Sequence, residues 1–186
     1  MTRYAMVMDT RRCVGCDSCT IACKVWNELP LDVLFCPVLR DGPHGVYPHL
    51  HMNHTPLLCM HCAETPCVHA CPTGASRQDA DGIVWVEEKG CITCGACIAA
   101  CPYNARHRDR QRGVVIKCDF CKDRVRDGEE PFCVKTCHQR ARVFGDLDDK
   151  HGAVARLVNS LRTERLFEDI GTEPQVYYIM SKGGQG

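Results

Sequence analysis

The sequence is poor in aromatic residues, which make up only 6% of 186 residues, so a large apolar core is not available to hold the chain together. Neither sign of charge is in excess. Lys plus Arg and Asp plus Glu both number 23, which leaves no polybasic footprint for nucleic acid. No apolar run approaches the roughly 20 residues needed to cross a bilayer, so any membrane association is expected to come through a partner. The opening MTRYAMVMDTRRCVGC has neither an apolar h-region nor a small-residue cleavage site, and Arg11-Arg12 abuts Cys13 with no apolar stretch after it. Neither a secretory nor a twin-arginine signal is therefore expected in it.

What the chain has in abundance is cysteine. Seventeen cysteines are a density at which disulfides or metal centres must supplement the core, and their spacing decides which. One unit recurs four times. The first, CVGCDSCTIAC, holds Cys13, Cys16, Cys19 and Cys23; the third, CITCGACIAACP, holds Cys91, Cys94, Cys97 and Cys101 ahead of Pro102. Both have C-x2-C-x2-C-x3-C spacing. The second, CMHCAETPCVHACP, places Cys59, Cys62, Cys67 and Cys71 before Pro72, with two extra residues between its second and third cysteines. The fourth widens that gap further, with Cys118 and Cys121 followed by Cys133 and Cys137.

Two-residue gaps let a tight loop point three thiolates at three iron corners of one cubane. In two-cluster ferredoxins the fourth corner is filled by the last cysteine of the other motif, which locks paired motifs together. Structural zinc also uses C-x2-C pairs, but as two separated pairs, and triplets wrap poorly around one tetrahedral ion. A disulfide scaffold fits worse, because cysteines two residues apart seldom bridge and the count is odd. A radical enzyme using S-adenosylmethionine needs a three-cysteine site with an open iron, whereas every set here offers four. The pattern thus points to [4Fe–4S] clusters on sixteen of the 17 cysteines and to electron transfer, with no catalytic residue.

Short strands are expected at YAMVMD (4–9), IVWVEE (83–88) and VVIKCD (114–119), each leading into a motif, and IAACPY reads as a helical turn broken by proline. Residues 24–58, with several prolines and glycines, read as an ordered loop with little regular structure. It carries Cys36, read as a small buried hydrophobe, and His44, His49, His51 and His54. With His61, these histidines read as loop-surface or cluster-shell residues. After 146, GAVARLVNSLRTE spaces Val154, Leu157, Val158 and Leu161 along one helix face, and GTEPQVYYI reads as an extended arm that either covers this chain or reaches a partner.

The order of motifs resembles the four-cluster iron–sulfur subunits of the DMSO reductase family of molybdopterin oxidoreductases. The likeness rests on MVMD before CVGCDSCTIAC, CMHCAETPCVHACPTGA, CITCGACIAACPYNAR, KCDFCKDR and FGDLDD, and is greatest to the short forms in polysulfide, thiosulfate, tetrathionate and arsenate reductases. It implies an α+β chain of two ferredoxin-like dicluster modules packed together, with short strands and helices and long loops. Residues 1–23 with 110–145 would carry motifs one and four, and 55–109 motifs two and three. Residues 24–54 would be an inserted loop and 146–186 a C-terminal helix and extended arm. Swapped ligands would then set Cys91, Cys94 and Cys97 with Cys71, and Cys59, Cys62 and Cys67 with Cys101. Cys13, Cys16 and Cys19 would join Cys137, and Cys118, Cys121 and Cys133 would join Cys23, giving four [4Fe–4S] clusters.

The resemblance further implies a molybdopterin-containing catalytic partner and a membrane quinone-reactive subunit or cytochrome. It implies association with the membrane through them, on the periplasmic face after co-export, with the cytoplasm as the alternative. A hydrogenase or formate dehydrogenase subunit, and a free-standing redox sensor or ferredoxin-like carrier, are the competing functions. The first and fourth motifs lack the trailing proline, and His138, which follows Cys137, is a candidate donor to a cluster sulfur. Lys89, Lys117, Lys122 and Arg124 are candidates for tuning cluster potentials.

Overall fold

Residues 2–180 are described by the computed structural model of the chain. In chain order the elements are β1 (Tyr4–Asp9), α1 (Ser18–Trp26), β2 (Val38–Val46), β3 (His49–Pro56), α2 (Pro66–His69), β4 (Ser76–Gln78) and β5 (Val84–Val86). They continue with α3 (Ala96–Ala99), β6 (Arg106–Asp109), β7 (Val114–Lys117), α4 (Lys122–Arg126), α5 (Phe132–Lys135), β8 (Arg142–Asp146), α6 (Ala153–Ser160) and β9 (Val176–Ile179).

β1 is a continuous apolar run because it is covered on both faces, as a central strand must be. It lies between β8, antiparallel, and β9, parallel. Its side chains alternate, so Met6 and Met8 join one apolar cluster with Val176 and Tyr178, while Ala5 and Val7 join another with Val154 and Ile179. The first cluster contains cysteines of three motifs, Cys19, Cys59 and Cys118 among them, and Cys91 of the remaining motif packs against it. The second is closed by α6, whose Val154 is buried and whose Leu157 and Val158 pack beside it. The amphipathic pattern read over 154–161 thus forms a helix, with Leu161 just past its end.

The three strands read from the sequence form, the second shortened at both ends to Val84–Val86 and the third at its C-terminal end to Val114–Lys117. The segment read as a loop with little regular structure is different: β2 and β3 pair into a long antiparallel hairpin. Its prolines do not prevent this. Pro48 sits in the connection between the strands, Pro43 falls where the register shifts between Asp41 and His44, and a two-stranded ribbon has an unpaired edge that tolerates a missing N–H. The closing arm covers its own chain, since β9 is laid on β1. Residues 181–186 of the expected C-terminal arm lie outside the described residues.

Candidate iron–sulfur cluster sites

Each cysteine motif is built on the same local geometry. The residue immediately before the second cysteine has positive φ in all four, Gly15 (65°), His61 (42°), Thr93 (56°) and Phe120 (57°). This left-handed step turns the loop back on itself, and a glycine takes it without strain while the other three are held there by their surroundings. The third cysteine is then the second residue of a short helix in every case: Cys19 in α1, Cys67 in α2, Cys97 in α3 and Cys133 in α5. Four residues further on comes the last cysteine. α2 and α3 stop before Pro72 and Pro102, whereas α1, with Lys24 in place of proline, runs on through Cys23 to Trp26. Lys24 then donates to the carbonyls of Pro30, Leu31 and Val33 at 2.5–3.1 Å, tying down the chain that leaves the helix.

α1 packs on α5 and α2 on α3, which brings the motifs together in pairs. One cavity is lined by Cys13, Cys16, Cys19 and Cys137. A second is lined by Cys71, Cys91, Cys94 and Cys97, and a third by Cys59, Cys62, Cys67 and Cys101. Cys23, Cys118, Cys121 and Cys133 form a fourth gathering, each within electrostatic reach of others in the set. Each set takes three cysteines from one motif and the last from another. Among the described residues no three of His, Cys, Asp and Glu converge on a single-ion site; the thiols line the walls of shared spaces instead.

The chemistry of these donor sets fits iron–sulfur ligation. Burial pushes the thiols of Cys62 and Cys121 up to about 12, and those of Cys23 and Cys118 also upward. Four such groups in one space ionise together only when bound metal compensates their charge. The sulfurs are also supplied with donors. Backbone N–H groups of Ser76, Val115 and Ala141 point at Cys71, Cys91 and Cys137 at 3.3–3.4 Å, and the Asn27 amide reaches Cys23 at 3.4 Å.

Two buried arginines stand out, and sequence reading missed both. Arg106 donates from one terminal nitrogen to Cys67 Sγ at 2.9 Å and to Ser76 Oγ at 2.7 Å, and Arg142 donates to Cys19 Sγ at 3.3 Å. Their detectable signal was an equal offset, five residues beyond Cys101 and Cys137. His138, a candidate donor from sequence, is exposed. Of the other basic candidates, Lys89 is exposed, Lys117 is buried with its ammonium on the Val84 carbonyl, and Lys122 lies 3.6 Å from the centre of the Trp85 ring. Arg124 is buried over Trp26 and Phe132.

Cys36 is buried, as read from the sequence, and it also lies within hydrogen-bond reach of two sets at once. Its thiol bonds to Cys19 and Cys133, pulling them down to about 5 and about 7, with the charge of Arg142 acting in the same direction. His61 is fully buried and stacked on Phe120 at 3.6 Å; Val84 N–H donates to its Nδ1 at 3.0 Å, which fixes the proton on Nε2. The four histidines 44, 49, 51 and 54 lie along the hairpin, away from the cysteine sets apart from His54 beside Gly15.

Among the described residues no helix is long and apolar enough to cross a membrane. A 4Fe-4S dicluster domain matches residues 50–147, and a 4Fe-4S binding domain matches residues 10–26. The B component of the polysulfide reductase of Wolinella succinogenes is 40% identical over 98% of this chain and 96% of its own length. The B component of the tetrathionate reductase of Salmonella typhimurium is 40% identical and that of the selenate reductase of Mesobacillus selenatarsenatis 38% identical, each over 95% of this chain and 72% of its own length. The chain belongs to the 4Fe-4S dicluster family as an iron–sulfur electron-transfer subunit that binds several [4Fe–4S] clusters, the family that includes these reductase components.

Proposed function

We propose that this chain carries electrons between a molybdopterin catalytic subunit and a membrane quinone-reactive subunit or cytochrome, through four [4Fe–4S] clusters held by the sixteen motif cysteines. The observation that carries the reading is the division of these thiols into four sets, each completed by a cysteine from another motif. The ligands are then Cys13, Cys16, Cys19 and Cys137; Cys118, Cys121, Cys133 and Cys23; Cys59, Cys62, Cys67 and Cys101; and Cys91, Cys94, Cys97 and Cys71. Each bound cluster takes up and gives back one electron.

The protein's own residues set the order of the row. Arg106 faces Cys59 and Cys67 in one set and Cys97 in the next. Lys117 faces Cys67 and, across the junction between the two motif pairs, Cys118. Cys36 and Arg142 link Cys133 to Cys19. The row therefore runs from the Cys91 set through the Cys59 and Cys118 sets to the Cys13 set. At its two ends stand the two exposed cysteines, Cys94 and Cys16, each with an exposed apolar neighbour, Ile92 or Val14. Electrons enter at one end and leave at the other, and the two middle sets contain no exposed cysteine. Two dicluster modules, residues 1–23 with 110–145 and residues 55–109, follow from the same sets.

The names of the relatives, each a lettered component of a reductase, support a catalytic partner, and a place at the membrane through partners is part of the same proposal. Co-export with such a partner would put the chain on the periplasmic face. Affinity purification of the tagged chain from its own cells under anaerobic conditions tests the partnership. The expected result is a co-purifying large subunit with molybdenum near one atom per complex. A chain recovered alone, with full iron and no molybdenum, would support the free-standing carrier instead.

A further inference from the structure

Arg106 and Arg142 occupy equivalent places in the two motif pairs. Each is the first residue of the strand that leaves a motif, β6 or β8, and each lies five residues after the last cysteine of that motif. Each donates to the third cysteine of the set which that last cysteine completes: Arg106 to Cys67 in the set with Cys101, Arg142 to Cys19 in the set with Cys137. Their relative exposures are 2% and 3%, and in both the second terminal nitrogen, Nη1, is buried with no hydrogen-bond partner. A buried guanidinium with an unused donor is costly unless negative charge lies against it. No carboxylate is paired with either arginine among the described residues; the groups they face are Cys67, Cys59 and Cys97 for Arg106, and Cys36, Cys133, Cys19 and Tyr178 for Arg142.

The other two sets provide an internal comparison. Five residues after Cys71 stands Ser76, and five after Cys23 stands Glu28, so neither has a cation at this place. We infer that Arg106 and Arg142 are positioning residues that raise the reduction potentials of the clusters on the Cys59 and Cys13 sets above the values those clusters would otherwise have. The inference rests on the ligand sets proposed above. Its physical basis is that reduction adds one negative charge to a cluster, and a charge-assisted hydrogen bond in a dry site stabilises the more negative state. Hydrogen bonds to charged groups are stronger than those between neutral groups, so differential stabilisation of the reduced state on the order of tenfold is within their reach. Lys117 adds positive charge near Cys67 and Cys118 but is engaged with the Val84 carbonyl, and Arg142 also acts on Cys133 of the Cys118 set, so its effect extends to that neighbouring cluster while its 3.3 Å contact to Cys19 centres it on the Cys13 set.

The test is an anaerobic redox titration followed by EPR on the holoprotein and on Arg106→Gln, Arg142→Gln and the corresponding lysine variants, with iron content measured on each. In each glutamine variant with full iron, at least one midpoint is expected to fall by at least tenfold in its reduction equilibrium, which is about 59 mV for a one-electron couple. The lysine variants, which keep the charge but lose the fork, are expected to fall less. Full iron with all four midpoints unchanged would overturn the inference. Pulsed EPR on wild-type protein labelled with ¹⁵N-arginine decides the matter if the variants lose iron: coupling to a guanidinium nitrogen supports the contact, and its absence overturns it. Failure of the ligand reading itself would be seen earlier, as a wild-type chain without four titrating clusters.

Discussion

Replacing Cys71 and Cys91 together by alanine is expected to leave three intact four-iron clusters, whereas replacing Cys71 and Cys59 together is expected to leave two. The first pair lies on different motifs but in one cysteine set, and the second lies on one motif but in two sets. If each motif held its own cluster, the outcomes would be reversed. The comparison therefore reads ligand exchange directly, by the logic of a double-mutant cycle, and both variants carry the same number of lost thiols. Spin integration of the fully reduced proteins, with Mössbauer spectra to count four-iron centres, gives the measurement. Such an exchange would also add to what the apolar core contributes. In the proposed sets each cluster would join two motifs, as Cys13 and Cys137 would be joined, and metal binding free energy would become folding free energy.

Tyr178→Ala is expected to be the most destabilising single change away from the cysteines, by about 3–5 kcal/mol, as for other large buried aromatics. Tyr178 is fully buried, and its hydroxyl donates to the Pro56 carbonyl at 2.9 Å, holding the end of the hairpin against β9 and β1. Its backbone also exchanges two 2.8 Å hydrogen bonds with Glu164. Tyr178→Phe keeps the packing but strands that carbonyl, for a loss of about 1–3 kcal/mol. The shift in guanidinium midpoint, followed through the sulfide-to-iron absorption band, checks both. An alanine variant as stable as wild type would mean that the C-terminal strand contributes little to holding the core closed.

Local chemistry was the part of this molecule most readable in its sequence. The run Ala5 to Met8 reads as a strand because every residue in it is apolar, and it is apolar because both faces are covered. Val154, Leu157 and Val158 read as a helix face for the same kind of reason. The hairpin of β2 and β3 was hidden because proline and glycine ordinarily punctuate loops, and here they fall at a connection and a register shift that strand pairing tolerates. The arm ending in VYYI was ambiguous because its partner, β1, lies at the other end of the chain, and only long-range pairing decides whether an extended segment stays home. Arg106 and Arg142 were overlooked because their shared five-residue offset from Cys101 and Cys137 does not say which sulfurs they reach. Their meaning comes from Cys67, 39 residues away, and Cys19, 123 residues away. His138 was attractive for the opposite reason, since it adjoins Cys137 in sequence yet faces outward.

Iron, acid-labile sulfide and zinc content of the anaerobically purified chain test the central claim most directly. Four cubanes require about sixteen irons and about sixteen sulfides per chain, with coupled EPR signals from reduced four-iron centres at low temperature. Zinc in place of iron with little sulfide, or iron near half that value, would contradict the four-cluster assignment of the sixteen cysteines.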